Sequence, residues 1–538
     1  MLILIRHFIL FFCFAIFFTN VNSQQAYHNW TKTGGSISMD IGNSLHVDAL
    51  GNVYTVGRFQ GTVDFDPGTS IYNLTSNGGY DIFVQKLNSS GNLIWAHSFG
   101  DTLDDQGNSV VVDNNGNVYI TGGFQLTMDA DPCVGSSILT SSGYYDLFSI
   151  KLDANGIYIW GLNQGGSGTI SDIGVSIHIH NQELYISADM NSNATILKYS
   201  LNGNSIWTNT LSTNLGETIS PLAFDNQNNI YSTGRYNSNF IFVQKNNPTG
   251  GQIWLKLFAG GTNNWGADIA IDSLNNVYTT GQYSGIRDFD PSPAIYNLNS
   301  LGWYDAYVQK LDSLGNFIWA LTFGSSSSNT SYAMGLAIEI EKDTLLFAGS
   351  FSDTTDFNPG LGFSYLIASA GSQQGFLTKL DLSGGFISSH QLTGNFSSRV
   401  HDIKQDQNNI YLTGFHSGTT DFDPNQTQFN ITSNGSNDFF TSKWSKNAIL
   451  EIPPPEIIKE SELIIPNIFT PNGDGNNDLF KITANSLDLV EVLIFNRWGE
   501  LIYKSTQTNE GWNGRTTAGV EVPEGTYFYV IKIIYTED

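Results

Sequence analysis

The chain has 538 residues, too many for one ordinary core, so at least two domains are expected. Its formal net charge is −26, while charged and aromatic residues each make up only 13% of it. So acidic a surface, with no basic patch to offset it, excludes nucleic acid and anionic lipid as partners. The 55 glycines, with abundant Asn, Ser, Thr and Tyr, favour strands and tight turns, and a 40% apolar fraction is enough for packed cores.

Residues 1–23 read as a signal peptide. Arg6 and His7 precede an apolar run, 8–18, too short to cross a bilayer, and Val21 and Ser23 fit the small-residue positions before cleavage. An exported chain cleaved near Ser23 is expected, with no transmembrane segment after that point. Cys13 leaves with the signal, so Cys133 stands alone and no intramolecular disulfide can form.

Residues 24–446 repeat. The segments "GNVYTVGRF" (51–59), "GNVYITGGF" (116–124), "QELYISADM" (182–190), "NNIYSTGRY" (228–236), "NNVYTTGQY" (275–283), "DTLLFAGSF" (343–351) and "NNIYLTGFH" (408–416) align on Tyr54, Tyr119, Tyr185, Tyr231, Tyr278, Phe347 and Tyr411. A second element follows each, with Lys86, Lys151, Lys198, Lys245, Lys310, Lys379 and Lys443. A third carries Trp95, Trp160, Trp207, Trp254 and Trp319, with Ser388 in the sixth unit. An apolar run precedes each aromatic segment, so every unit reads as four antiparallel strands joined by Asn-Gly-type turns. Units of this size and content predict an all-β, seven-bladed propeller. The seventh unit ends at 439–446 without a Trp strand, so "HNWTKTGG" (28–35) is needed to supply it. Residues 27–34 are therefore expected to close the ring as the outermost strand of the last blade, leaving no free edge. The units "GNVYITG", "DLFSIKLDANG" and the Trp strand resemble SBBP-type β-propeller repeats over roughly residues 27–446. That resemblance implies the fold and leaves function open.

Ten residues after the marker Tyr lies an acidic turn, as in "TVDFDPG" (62–68). It pairs Asp64 with Asp66, Asp129 with Asp131, Asp288 with Asp290 and Asp421 with Asp423, and a weaker copy has Asp356 and Asn358. Asp81, Asp146, Asp305 and Asp438 each follow 17 residues after the first acid. Three carboxylates per blade, aided by carbonyls and water, form a possible calcium site. The competing reading is architectural: Asp starts turns by bonding the backbone two residues on, with Phe65, Phe289, Phe357 and Phe422 as apolar pegs. The third and fourth units lack the turn, which leaves a gap in the loop rim near Trp265, Trp303 and Tyr304. No nucleophile elbow, P-loop or His-Glu-x-x-His segment occurs, and the histidines share no repeat position.

Residues 447–463 form a Pro-rich linker, "EIPPPEIIKESE" at its centre. Residues 464–538 alternate strand and turn patterns, which predicts a small Ig-like β-sandwich. "FTPNGDGNND", "FNRWGELIY", "WNG" and "VPEGTYFY" occur there in order and resemble the gliding-motility-associated C-terminal domain, the type B sorting domain of type IX secretion in Bacteroidota. The resemblance implies the type IX machinery as partner and delivery to the medium or the outer-membrane surface. Within "PNGDGNND", Asn472, Asp474, Asn476 and Asp478 alternate as calcium-loop oxygens do, but the glycine spacing and flanking helices of an EF-hand are missing. Taken together, these features predict a non-catalytic exported propeller that binds glycan, protein or surface ligands. The alternative is a polysaccharide-active enzyme using acids on the loop face.

Overall fold

The computed structural model describes residues 26–446, except 212–217, 238, 260–263, 326–329, 361 and 426, and residues 463–534, except 467, 485–487 and 507–510. The expected signal peptide and nearly all of the expected linker lie outside the described residues. Two compact units separate, Ser23–Ala448 and one containing Ile449–Asp538. Every regular element among the described residues is a strand, and no described helix is long and apolar enough to cross a membrane.

Among its described residues the larger unit forms seven four-stranded antiparallel blades, the sixth and seventh joined into one eight-stranded sheet where Thr393 and Gly394 pair with Asp421 and Thr420. In blade 1, Ile41–Val47, Val53–Phe59, Asp81–Leu87 and Leu93–Phe99 pair in that order. Blades 2 to 6 begin at Gln106, Ile173, Thr218, Trp265 and Ala333. In blade 7, Ser398–Gln405, Asn409–Asp421 and Asn430–Ser445 are followed by Tyr27–Gly34 as outer strand, with Thr31 opposite Ser442 and Gly34 opposite Phe439. The first strands of the blades line a central channel of about 440 Å³. In every blade but the third, which has Ala188, a glycine three residues after the marker allows close approach inside the sheet: a Cβ on Gly57 would lie 1.9 Å from the Ile41 carbonyl oxygen.

Register corrects one alignment. Lys86 lies opposite Tyr54 and Lys443 opposite Tyr411, but Lys379 lies opposite Leu346 rather than Phe347. Leu346 is thus the sixth marker, and Gly349 and Asp356 then follow at the usual three and ten residues. By the same register the third-strand acid of blade 6 is replaced by Gln374, opposite Phe351.

The markers join blade to blade. Tyr54 donates to Asp48 Oδ2 (3.1 Å), whose Oδ1 caps the hairpin turn through the Leu50 and Asn52 amides. The Lys86 ammonium lies 5.0 Å from the centre of the Tyr54 ring and donates to the Ala154 carbonyl of blade 2 (2.9 Å). Trp95 Nε1 donates to the same oxygen (3.3 Å). Lys151 and Trp160 converge likewise on the Leu201 carbonyl, Lys245 and Trp254 on Ser313, and Lys443 and Trp30 on Ser89. The last pair ties blade 7 to blade 1.

The smaller unit contains a three-stranded sheet in the order Leu501–Ser505, Asp488–Phe495, Phe528–Ile534, and the pair Leu463–Ile464 with Thr483–Ala484. Phe469, Phe480, Ile494, Trp512 and Tyr527 form its core. Trp498 stands 83% exposed in the turn after Phe495, where Asn496 Oδ1 accepts the Trp498 and Glu500 amides.

The buried Asp225–Lys245 pair (3.1 Å) tests the markers. Burial pushes the Asp225 carboxyl up, but donors from Asn229 and Lys245 outweigh it and hold it at about 2. Asp225→Ala strands the lysine and should cost about 3–5 kcal/mol by urea unfolding, and adding Lys245→Met should recover part of the loss.

Candidate functional site

The acidic turns are built from the backbone. One oxygen of Asp64 accepts the amides of Asp66 (3.0 Å) and Tyr72 (2.8 Å). Asp129, Asp288, Asp356 and Asp421 each accept the amides two and eight residues on, at 2.7–3.1 Å. The second acids Asp66, Asp131, Asp290 and Asp423, and Asn358 in blade 6, each cap the amide two residues further. Phe65, Phe289, Phe357 and Phe422 are buried beneath these loops, and Gln85 and Gln309 donate to the carbonyls of Phe65 and Phe289.

Asp81, Asp146, Asp305 and Asp438 are fully buried at the blade ends and bond amides of the preceding loop: Asn77, Ser142, Leu301 and Asn434 respectively. Among the described residues no group of three His, Cys, Asp or Glu side chains is placed to hold a metal ion. In the smaller unit Asn472 Oδ1 accepts the Asp474 amide, Asp474 Oδ1 the Asn476 amide, and Asp478 the amides of Gly473 (2.6 Å) and Gly475 (2.7 Å). These side chains lie exposed around a run of turns.

The insertions leave a gap. Blades 1, 2, 5 and 6 carry a short hairpin between second and third strands, such as Thr62–Asp64 with Asn73–Thr75, and blade 7 extends its two strands instead. Blade 3 turns in two residues, Asn191 and Ser192, both with positive φ. Over the low rim lies a cleft of about 550 Å³, lined by Asp189, Arg235, Asn264, Trp265, Gln282 and their neighbours. Trp265 is 37% exposed there, and Arg235 Nε is buried with no hydrogen-bond partner among the described residues. Burial pushes the Asp189 carboxyl up to about 7 even though the Ile219 amide (2.9 Å) and the Arg235 charge both oppose the shift. Of the three aromatics expected at the gap, Trp265 lines the cleft. Trp303 and Tyr304 pack against each other with tilted rings (5.5 Å), and Tyr304 packs likewise on Tyr332 (5.2 Å).

Sequence reasoning missed Asp189, Arg235 and Gln282. All three occupy the position four after the marker Tyr, where the repeat also shows Arg58, Gly123, Ser350 and Phe415. That variability inside an otherwise regular element was the available signal.

The channel holds a polar set. Lys404 lies between Asp402 (3.2 Å) and Glu339 (3.8 Å), and His46, His178 and His401 line the wall. Burial pushes His178 and His401 down to about 3 and His46 to about 4. His178 Nε2 accepts the Leu222 amide (3.0 Å), which requires a neutral ring.

Residues 463–538 match the CHU_C Type IX secretion signal domain, and residues 94–122 match the SBBP β-propeller repeat. The fold class is that of a β-propeller. The chain joins an SBBP propeller repeat to a type IX secretion signal, which directs the protein to secretion or to the cell surface. An uncharacterized WD repeat-containing protein, L264, of Acanthamoeba polyphaga mimivirus is 25% identical over 234 residues, 41% of this chain and 14% of that protein. Among solved structures, Sqt1 of Chaetomium thermophilum is similar with a TM-score of 0.39 and 11% identity, covering 72% of this chain and 97% of that one. The Pan2 WD40 domain of Neurospora crassa is similar with a TM-score of 0.32 and 8% identity, covering 63% and 89%.

The channel histidines set an acid limit. Their folded pKa values lie below the unfolded value of about 6.5, so the unfolded chain takes up protons first as pH falls. The stability these neutral histidines contribute should be lost between pH 6.5 and 4.5. His178→Gln, which keeps an acceptor for the Leu222 amide, should reduce that loss in thermal melts.

Proposed function

We propose that this protein is an exported, non-catalytic binding propeller whose rim cleft holds extracellular saccharide chains. The cleft over blades 3 to 5 carries the reading. Trp265 offers an aromatic face to a sugar ring, and Arg235, Asn264 and Gln282 bring planar hydrogen-bonding groups to the same space. Asp189 is the single carboxylate of that lining among the described residues, whereas glycoside hydrolysis by the usual route needs two. Holding a chain therefore suits the site better than cutting it. In this reading a signal peptide ending near Ser23 opens the export route of a Bacteroidota cell, and residues 464–538 complete it. The test is glycan-array binding by the chain lacking residues 1–23, followed by Trp265→Ala and Arg235→Ala. Each substitution should weaken the captured glycan about tenfold or more, near 1.4 kcal/mol. Release of reducing ends from a polysaccharide would favour the enzyme instead, and capture of a protein ligand with an empty array would replace the saccharide.

The acidic turns act in this proposal as architecture, since their carboxylates already accept backbone amides. Calorimetric titration with calcium to millimolar concentration should then give no stoichiometric heat and no rise in melting temperature. Four equivalents bound with a rise would make the blade acids metal sites, and one equivalent would point to Asn472–Asp478.

A further inference from the structure

At the junction of blades 1 and 2, Asp81 of the third strand meets Asp105, which precedes the first strand of blade 2; both are fully buried. The Asp105 amide donates to the Tyr80 carbonyl (2.6 Å), which fixes the two backbones together. Asp105 is fully used: Oδ1 accepts the Gln125 amide (2.8 Å) and Oδ2 the Asp101 amide (2.9 Å). Asp81 Oδ2 accepts the Asn77 amide (3.1 Å), but Asp81 Oδ1 has no partner among the described residues. Both carboxyls crowd onto Gly100: a Cβ there would lie 2.6 Å from Asp81 Oδ1 and 2.8 Å from Asp105 Oδ2, so only glycine leaves the space.

The arrangement recurs twice. Beside Asp146, the Asp172 amide donates to the Tyr145 carbonyl (2.9 Å), and the Asp172 oxygens accept the Gly166 (2.7 Å) and Asn191 (2.6 Å) amides. Asp438 meets Asp40, whose oxygens accept the Ser36 (2.6 Å) and Gln60 (2.9 Å) amides. In both pairs it is again Oδ1 of the third-strand acid that is buried without a partner. Two other junctions serve as internal controls. Asp305 faces Ala333, which occupies the place of Asp105, and both oxygens of Asp305 find amides, from Leu301 (2.8 Å) and Gly302 (3.2 Å). Between blades 6 and 7 the pair is Gln374 and Ser398, and the Gln374 amide donates to the Phe396 carbonyl (2.6 Å). The orphaned oxygen appears where the second aspartate is present and is missing where it is replaced.

We infer that the two aspartates at each of these three junctions share one proton, which closes the junction as a carboxylic acid donating to a carboxylate. Two buried carboxylates side by side repel strongly unless a cation or a proton joins them. None of the six forms an ion pair with a Lys, Arg or His among the described residues. The surrounding amides point donors inward, which suits carboxyl oxygens and repels a metal ion. The titratable groups facing the first pair are Asp101, Asp104 and the Tyr145 phenol; Asp40 and Asp438 face each other. Burial, helped by these acids, pushes Asp81 and Asp105 up to about 7 and Asp438 up to about 6. A folded pKa raised above the unfolded value of about 3.9 gives stability that is present at low pH and lost as pH rises through about 6 to 7.

The test compares thermal melts of the chain lacking residues 1–23 at pH 6 and pH 8.5, in EDTA, with those of Asp81→Asn/Asp146→Asn/Asp438→Asn. The wild-type melting temperature should fall over that interval, and the triple variant should lose most of the fall, as amides replace the protonated acids in the manner of Gln374. Burial pushes the lone Asp305 up to about 6 as well, so Asp305→Asn should remove the share of one singly buried acid and leave most of the fall in place. Should the triple variant fail to fold, Asp81→Asn alone is read by infrared difference spectroscopy at pH 6. It should remove the carbonyl band of one buried protonated carboxyl group. An equal fall in wild type and variant, or no such band, would overturn the proposal. So would a melting temperature at pH 8.5 that calcium raises in the wild type and not in the variant, since a cation would then stand where the proton is placed.

Discussion

Blades 1, 2, 4 and 7 are each held to the next through one backbone carbonyl that receives both a lysine and a tryptophan, and blade 5 reaches the Leu382 carbonyl with Lys310. At the first junction that oxygen belongs to Ala154 of blade 2, and Lys86 and Trp95 reach it from blade 1. A buried ammonium is costly unless its donors and charge are satisfied, and here the neighbouring carbonyl, the Tyr54 ring and the turn aspartate share that task. The lysine therefore favours its blade only when the next blade is in place. This makes the ring a cooperative object rather than a stack of independent sheets. The closing contact obeys the same rule: Trp30 from the first strand joins Lys443 of blade 7 on the Ser89 carbonyl of blade 1.

Where the device lapses, other groups take over. Blade 3 has Glu183 in place of the turn aspartate, and it pairs with Lys198 at 2.6 Å. Blade 6 has Ser388 where tryptophan would stand, and there Lys446 from the end of blade 7 reaches Glu341 of blade 6 and the Asp406 carbonyl. The charge that bridges the junction is kept while its source moves to another strand.

Much of this was legible in the sequence. Tyr, Lys and Trp recur because all three serve one contact, so their spacing reports the sheet directly. The acidic turns were legible as turns because Asx capping is local, reaching two and eight residues along the chain. Two features were hidden. Leu346 and Phe347 are both apolar, and a one-residue slip between them changes the face without changing the pattern. The partner of Asp81 was hidden for another reason. Asp105 sits in a connecting loop of the next blade, where no periodicity links the two, and the regular spacing from Asp64 pointed to the wrong neighbour. Sequence register records distance along a strand, whereas buried charge is settled across blades.

That difference also locates the variable surface. The marker Tyr, the glycine three residues on and the lysine opposite are fixed by blade contacts. The position four after the marker varies instead, and it holds Arg58, Asp189, Arg235 and Gln282 in different blades. It stands at the end of the second strand, beside the site of the insertions. Blades 3 and 4 carry no inserted hairpin, so their variable positions, with Gln282 of blade 5, open into the cleft beside Trp265. A repeat constrained by its neighbours on every other face can differentiate only there. The cleft is thus where a regular ring can acquire a specific ligand without loosening any of its junctions.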